Sequence, residues 1–112
     1  MKQLTEIEKR VMQLIPVGSE RKASIREVCE VLNIDERAAY ELISRLRKKG
    51  IPICAKRNGP AADRGYYIAT SEQERADGLA PYKSQVHEMM IIIRQIEGAD
   101  IDQWRSEGEK IR

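Results

Sequence analysis

The chain has 112 residues, of which 41% are hydrophobic and 34% are charged, and it contains no phenylalanine. This length allows one domain with a modest core and an appended helical segment, and the composition is that of a soluble globular protein. No stretch approaches the roughly 18 to 20 consecutive apolar residues of a membrane span, and the N-terminus lacks the apolar segment of a secretory leader. We therefore expect a cytoplasmic protein with no membrane contact.

Charge is distributed unevenly along the chain, although the net charge is only +2. Residues 1–35 are balanced, residues 36–67 carry eight basic and three acidic side chains, and residues 68–112 carry six and nine. A polyanion would therefore be attracted to the middle of the chain. The two cysteines and the single histidine lack the spacing of a metal site, so we expect no metal and no other cofactor.

Two helices are predicted before residue 34. The first follows a cap at Thr5 and runs to about Ile15, because Thr5 has the reciprocal capping spacing with a glutamate three residues later. The second follows the same kind of cap at Ser24 and closes at Asn33. Only residues 33–35 separate it from the next helical pattern, which is typical of a helix-turn-helix.

The third predicted helix begins after a cap at Asp35 and stops at Gly50. Its apolar residues recur at helical spacing and indicate a buried stripe, while basic residues fill its last turn. The outward face consists of Glu36, Arg37, Tyr40, Glu41, Ser44, Arg47 and Lys48. Such a face is either simply solvated or contacts base edges and phosphates, and the segment that follows bears on that choice.

A β-hairpin is predicted after Gly50, because the apolar pattern changes there from helical to alternating. Its strands lie around residues 51–57 and 65–69, and the turn-rich residues 58–63 separate them. Pro52 lacks an amide hydrogen, which confines it to the edge or the start of a strand. The tip should be exposed and flexible, and it is flanked by Lys56, Arg57 and Arg64.

Three helices followed by a hairpin with a basic tip form the layout of a winged helix, an α+β fold that is mainly helical. The chain resembles the winged helix-turn-helix at the N-terminus of biotin-operon repressors and of many small bacterial and phage regulators. The resemblance covers about residues 5 to 69. Its matching features are the Ser24 cap, the turn at 32–35, the series Ile43, Arg45 and Leu46, and the wing's entry at 50–53 and exit at 65–66.

In this family the second helix of the motif typically lies in the major groove of DNA, and the hairpin contacts the adjacent backbone. The resemblance therefore implies that base edges face Glu36, Arg37, Tyr40, Glu41 and Ser44. It implies that phosphates are held by Arg47, Lys48, Lys56, Arg57 and Arg64. The implied function is sequence-specific binding of double-stranded DNA by a transcriptional regulator of bacterial or phage origin.

Glu36 and Glu41 depart from the family pattern, which often has neutral or basic residues at these positions. They either accept hydrogen bonds from cytosine amino groups or indicate that this face meets a protein. The alternative function is a winged-helix protein-interaction adaptor, for example in phage DNA replication. The ligase domain of biotin repressors is not found in this sequence, and neither are a phosphate-binding loop or a nucleophile elbow, so we expect no enzymatic activity.

Residues 1–70 are thus predicted to form the winged helix, and residues 71–112 a helical extension. A short helix should begin at Ser71 and stop at Gly78, because serine caps helices and glycine ends them. A longer helix should begin at Pro81, since proline is favoured in a first helical turn, and should run to about residue 97.

The longer C-terminal helix carries more apolar residues than one buried face can hold. Its seam consists of Val86, Met89, Met90, Ile93 and Ile96. Ile91 and Ile92 lie outside that seam. We therefore predict a homodimer whose contacts are made by Met89, Ile91, Ile92 and Ile96. The alternative is that the second flank is covered within one chain by Tyr66, Leu79, Tyr82 and Trp104.

Overall fold

The computed structural model describes residues 3–111 of the chain, with side chains for residues 3–109. The described helices and strands are α1 (Glu6–Leu14), α2 (Ile25–Leu32), α3 (Glu36–Lys48), β1 (Ile53–Lys56), a 3-10 helix (Ala61–Asp63), β2 (Gly65–Ile68), α4 (Glu72–Glu97) and α5 (Trp104–Ile111). The chain forms two compact units, Met1–Ala80 and Pro81–Arg112. The predicted fold class, mainly helical with one strand pair, is confirmed.

The first three helices begin at their predicted caps. Thr5 and Glu8 form a reciprocal capping box at the start of α1, so two amide hydrogens that lack helical partners are satisfied. Ser24 and Asp35 each accept a hydrogen bond from the backbone N–H three residues later. Asn33 ends α2 in the left-handed conformation, with φ of 54°, and this conformation turns the chain toward α3.

The core of the N-terminal unit is built by α1, α2, α3 and the hairpin. The predicted stripe of α3 is buried, and the turn residue Ile34 packs against the same core. The buried core side chains are Val11, Ile15, Val28, Ala39, Leu42, Ile43, Leu46, Ile51, Ile53 and Tyr66. Burial of this apolar surface fixes α3 by its inner face and leaves its outer face open to solvent.

A buried ion pair joins α1 to the end of α3. Lys49 Nζ lies 2.6 Å from Glu8 Oε1, and the Glu8 side chain is almost fully buried. Hydrogen bonds from Lys49 and from the Thr5 backbone lower the pKa of Glu8 to about 2. Lys49, which follows the last helical residue, therefore stabilises the fold from the inside, unlike the exposed Lys48 beside it.

The hairpin is an antiparallel pair in which Ile53 lies opposite Ile68. The loop before α2 pairs with the other edge of β2, which was not predicted: Ala23 and Tyr66 exchange two backbone hydrogen bonds of 2.8 and 2.9 Å. Gly65 makes this approach possible, because a Cβ there would lie 2.7 Å from the Ala23 carbonyl oxygen. The helix-turn-helix and this hairpin together form a winged helix.

The predicted break between two C-terminal helices is wrong, because α4 runs without interruption from Glu72 to Glu97. Ser71 Oγ does accept the Glu74 amide hydrogen at the start, as predicted. Gly78, however, is no stop. It lies buried against β1, where a Cβ would lie 2.6 Å from Cys54 Cβ, so glycine serves there for close packing. Pro81 lies inside the helix and removes one backbone hydrogen bond without ending it.

The first turns of α4 belong to the N-terminal unit, which runs to Ala80. Glu74 holds them in place by accepting hydrogen bonds from the Ser19 N–H at 2.7 Å and from the N–H and hydroxyl of Thr70. These bonds lower the pKa of Glu74 to about 2. The Tyr67 hydroxyl also donates to the Glu74 carbonyl oxygen.

The C-terminal unit holds the rest of α4 and the short helix α5, which was not predicted. The apolar side chains of α4 between Val86 and Ile96 are all exposed, from 39% at Met90 to 71% at Ile96. Tyr82 and Trp104, which were candidates to cover them, are themselves exposed. Among the described residues, no helix is long and apolar enough to cross a membrane.

Candidate nucleic-acid interface

The outer face of α3 presents the residues that were predicted to face base edges. Glu36, Arg37, Tyr40 and Glu41 are exposed, and Ser44 is half-buried. Arg37 and Glu41 lie one helical turn apart and form a loose ion pair of 3.7 Å. Such an exposed pair is weak, so its charged groups are available to other partners. Tyr40 is the large aromatic side chain of this face, and it is 47% exposed.

The wing presents three basic residues beside that face. Arg57 and Arg64 are exposed and Lys56 is half-buried. A 3-10 helix, Ala61–Asp63, shapes the tip between the strands. Lys56 forms an ion pair with Asp63 across the tip. Because Lys56 already contacts the Asp63 carboxylate, it is less available to an incoming anion than either arginine.

An open groove between α3 and the wing brings Tyr40 together with the basic wing residues, whereas the lining does not include Glu36, Arg37, Glu41, Ser44, Arg47 or Lys48. Its volume is about 740 Å³. Tyr40 from α3 and the wing residues Lys56, Arg57 and Arg64 all line it. Ser24 and Ile25, at the start of α2, line the same groove. Sequence reasoning assigned them only to a helix cap and a core stripe, because a residue's position beside a groove depends on the wing's placement.

Asp63 connects the wing tip to the loop before α2. Its carboxylate accepts hydrogen bonds from Lys22, at 2.6 Å, and from Lys56. The Lys22 side chain is only 7% exposed and also donates to the Ser19 carbonyl oxygen. These two ammonium groups lower the pKa of Asp63 to about 2, and the hydrogen bond from Lys22 has the larger effect. The tip is therefore fastened to the loop before α2, which the sequence did not indicate.

Arg47 lies at the joint between α3 and the wing, half-buried. Its Nε donates a hydrogen bond of 2.9 Å to the Ile53 carbonyl oxygen, and its guanidinium lies 5.8 Å from the centre of the Tyr66 ring. Both contacts connect the end of α3 to the strands. Lys48, the next residue, is exposed and extends the basic surface at the end of α3.

The fold is a winged helix, and its groove is lined by Tyr40 of the helix-turn-helix and by basic residues of the wing. Within the described part of the chain, no three His, Cys, Asp or Glu residues are grouped to hold a metal ion.

No protein-family model matches this chain, and no curated protein matches it. Among solved structures, the chain is similar to the adhesin competence repressor AdcR from Streptococcus pyogenes, with 15% sequence identity and a TM-score of 0.42. The similarity covers 97% of this chain and 76% of that chain. The function is therefore proposed from the geometry of the groove.

Proposed function

We propose that the protein binds double-stranded DNA in a sequence-specific manner, with α3 in the major groove and the wing on the adjacent backbone. The observation that carries this proposal is the shared groove, which sets Tyr40 of α3 beside Arg57 and Arg64 of the wing. Base edges are read by α3 side chains, and phosphates are held by basic groups on either side of them. The biotin-repressor resemblance of residues 5–69 supports a transcriptional regulator of bacterial or phage origin.

The proposed contacts divide into two classes. Base readout is assigned to Glu36, Arg37, Tyr40, Glu41 and Ser44. Phosphate binding is assigned to Lys48, Arg57 and Arg64, with lesser shares for Lys56 and Arg47 because both already make contacts within the protein. The five excess positive charges of residues 36–67 support the same division, since a DNA backbone is attracted to such a segment.

Fluorescence anisotropy with labelled duplex DNA across a salt series tests the proposal. Duplexes selected from a random pool report specific binding, and an unselected random duplex reports the non-specific part. We expect affinity to fall steeply with salt, and Arg57→Glu with Arg64→Glu to remove most binding and to reduce the salt slope by about one for each lost phosphate contact. Each wing variant alone is compared with Arg10→Glu on exposed α1, which makes the same charge change outside the groove and should retain most binding.

A DNA affinity that does not change with salt would contradict the proposal. So would an equal loss of DNA affinity in Arg10→Glu and in the two wing variants.

A second candidate function, the protein-interaction adaptor, is favoured by one observation: Glu36 and Glu41 bring two exposed carboxylates to the face of α3. It predicts that both DNA samples fail to bind while one partner protein is recovered in stoichiometric amount. In that case Glu36→Gln with Glu41→Gln should release the partner.

We further propose that the protein is a homodimer that pairs through the C-terminal half of α4. The support is the exposed apolar surface that includes Met89, Ile91, Ile92 and Ile96. Several exposed apolar side chains along one helix are typical of an association site in a water-soluble protein. A twofold pair would bring two winged helices to neighbouring half-sites on DNA, which is the usual arrangement for helix-turn-helix regulators.

A further inference from the structure

Five of the exposed apolar residues of α4 form a regular seam, which differs from the seam predicted from the sequence because it includes Tyr82 and leaves Met90 on its flank. Counted along the helix, the seam residues follow one another at alternating steps of four and three. They are Tyr82, Val86, Met89, Ile93 and Ile96. This alternation is the heptad pattern with which one helix packs along another. The seam therefore fits a second helix of similar length and not a flat surface.

The two flanks of the seam differ in a way that specifies the partner. One flank carries Lys83, Met90 and Glu97, which are spaced by seven residues and lie along one line of the helix. The other flank carries Ile92. On this first flank, Lys83 lies two helical turns before Met90, and Glu97 lies two turns after it. All three side chains are exposed.

We propose that α4 pairs with α4 of a second copy in an antiparallel orientation, with Met90 at the twofold axis. Reversing the second helix about that point sets Lys83 of each copy against Glu97 of the partner subunit, twice, by symmetry. The same axis sets Ile92 against Ile92 of the partner subunit on the other flank. This inference rests on the proposed homodimer and adds its orientation and register.

Parallel pairing explains these residues less well. In a parallel pair, the flank that carries Lys83 faces the opposite flank of the partner, which holds Gln85 and Ile92 and no charge of opposite sign. In the antiparallel pair each charge meets its complement and the apolar residues meet at the centre. Ile91 lies on the side of the helix away from the seam, so this pairing does not use it, although it was among the residues predicted for the dimer.

The orientation is tested by reversing the charge of Lys83 or of Glu97 and then by mixing the two variants. Light scattering and sedimentation should show a dimer for the unmodified protein. Lys83→Glu and Glu97→Lys should each raise the dimer Kd about tenfold or more, because each places like charges together at two symmetric sites. An equimolar mixture of the two variants should recover the original affinity as a heterodimer, and so should the double variant. Glu88→Lys, which lies away from the seam, should leave the Kd unchanged.

Cross-linking provides an independent measurement. In a Cys29→Ser background, Met90→Cys should form an intermolecular disulfide across the twofold axis, whereas Gln95→Cys, on the opposite side of the helix, should not. A monomeric unmodified protein would overturn the homodimer itself. A dimer Kd that neither charge reversal changes would overturn the antiparallel register while leaving the homodimer in place. The same holds if mixing the two variants does not restore the original Kd. Circular dichroism of each variant verifies that the helix is retained.

Discussion

Among the glycines that the structure describes, Gly78 leaves the least room for a Cβ, because Cys54 lies directly against it. A side chain at this position would meet the Cβ and the sulfur of Cys54 on β1, which leave no space for it. We expect Gly78→Val to lower the free energy of unfolding by about 1–3 kcal/mol, because α4 would have to move away from the wing. Urea unfolding followed by circular dichroism measures this loss. Gly108→Val, in a helix with nothing within 4 Å of the new Cβ, is the matched control and should not destabilise the protein.

An unfolding midpoint for Gly78→Val equal to that of the control would contradict this account of the glycine. The sequence suggested a different role for Gly78, because glycine both ends helices and permits close approach, and only the position of Cys54 decides between them. Arg47 is a second residue whose contacts depend on the position of another element. Its place on the outward side of a helix was predictable from periodicity, but its hydrogen bond to Ile53 depends on where the wing lies.

A buried ion pair between Glu8 and Lys49 adds to the apolar contact between α1 and α3. The pKa of Glu8 is about 2 in the folded protein and 4.5 in a free side chain. A carboxylate with a lowered pKa stabilises the folded state above its unfolded value, and this stabilisation is lost as the pH falls from about 4.5 to 2. Lys49→Met leaves the carboxylate buried without its partner, so it should destabilise the protein at pH 7 and raise the pKa of Glu8.

Because Glu8 becomes neutral more easily in that variant, the stability difference between the unmodified protein and Lys49→Met should shrink as the pH falls. Urea midpoints at pH 7, 5 and 3 measure the difference, and the comparison cancels the carboxylates that both proteins share. Lys9→Met is the control, since Lys9 contacts Glu6 in an exposed pair and should have little effect at any pH. A pH-independent difference would show that Lys49 acts through packing alone.

Elements that local chemistry determines were predictable from sequence. Thr5, Ser24 and Asp35 cap the helices as predicted, and the change from helical to alternating pattern located the wing. The loop before α2 pairs with β2 through backbone groups, which leave no pattern in the side chains. The continuity of α4 across Pro81 is not visible in local helix-ending residues, because glycine at position 78 serves packing against Cys54 and does not end the helix.

At the scale of the molecule, the sequence located the basic segment by its charge balance, and the structure adds the groove that joins α3 to the wing. The apolar excess of α4 was also visible in the sequence, and exposure of those side chains in the single chain is consistent with an association surface. The proposed DNA-binding surface and the proposed dimerisation surface lie on different compact units. A substitution in one surface should therefore leave the other surface intact.

That separation predicts how the two activities are coupled. Pairing two winged helices makes the second DNA contact intramolecular, which raises affinity for a site with two half-sites by about 10²–10⁴-fold over a single contact. Lys83→Glu, at concentrations where it is monomeric, should therefore bind a two-half-site duplex at least about tenfold more weakly. It should bind a single half-site as well as the unmodified protein does, because its groove is intact. Adding Glu97→Lys protein should restore tight binding, and anisotropy measures each case. If monomeric Lys83→Glu bound the two-half-site duplex with unmodified affinity, the dimer would have no part in DNA recognition.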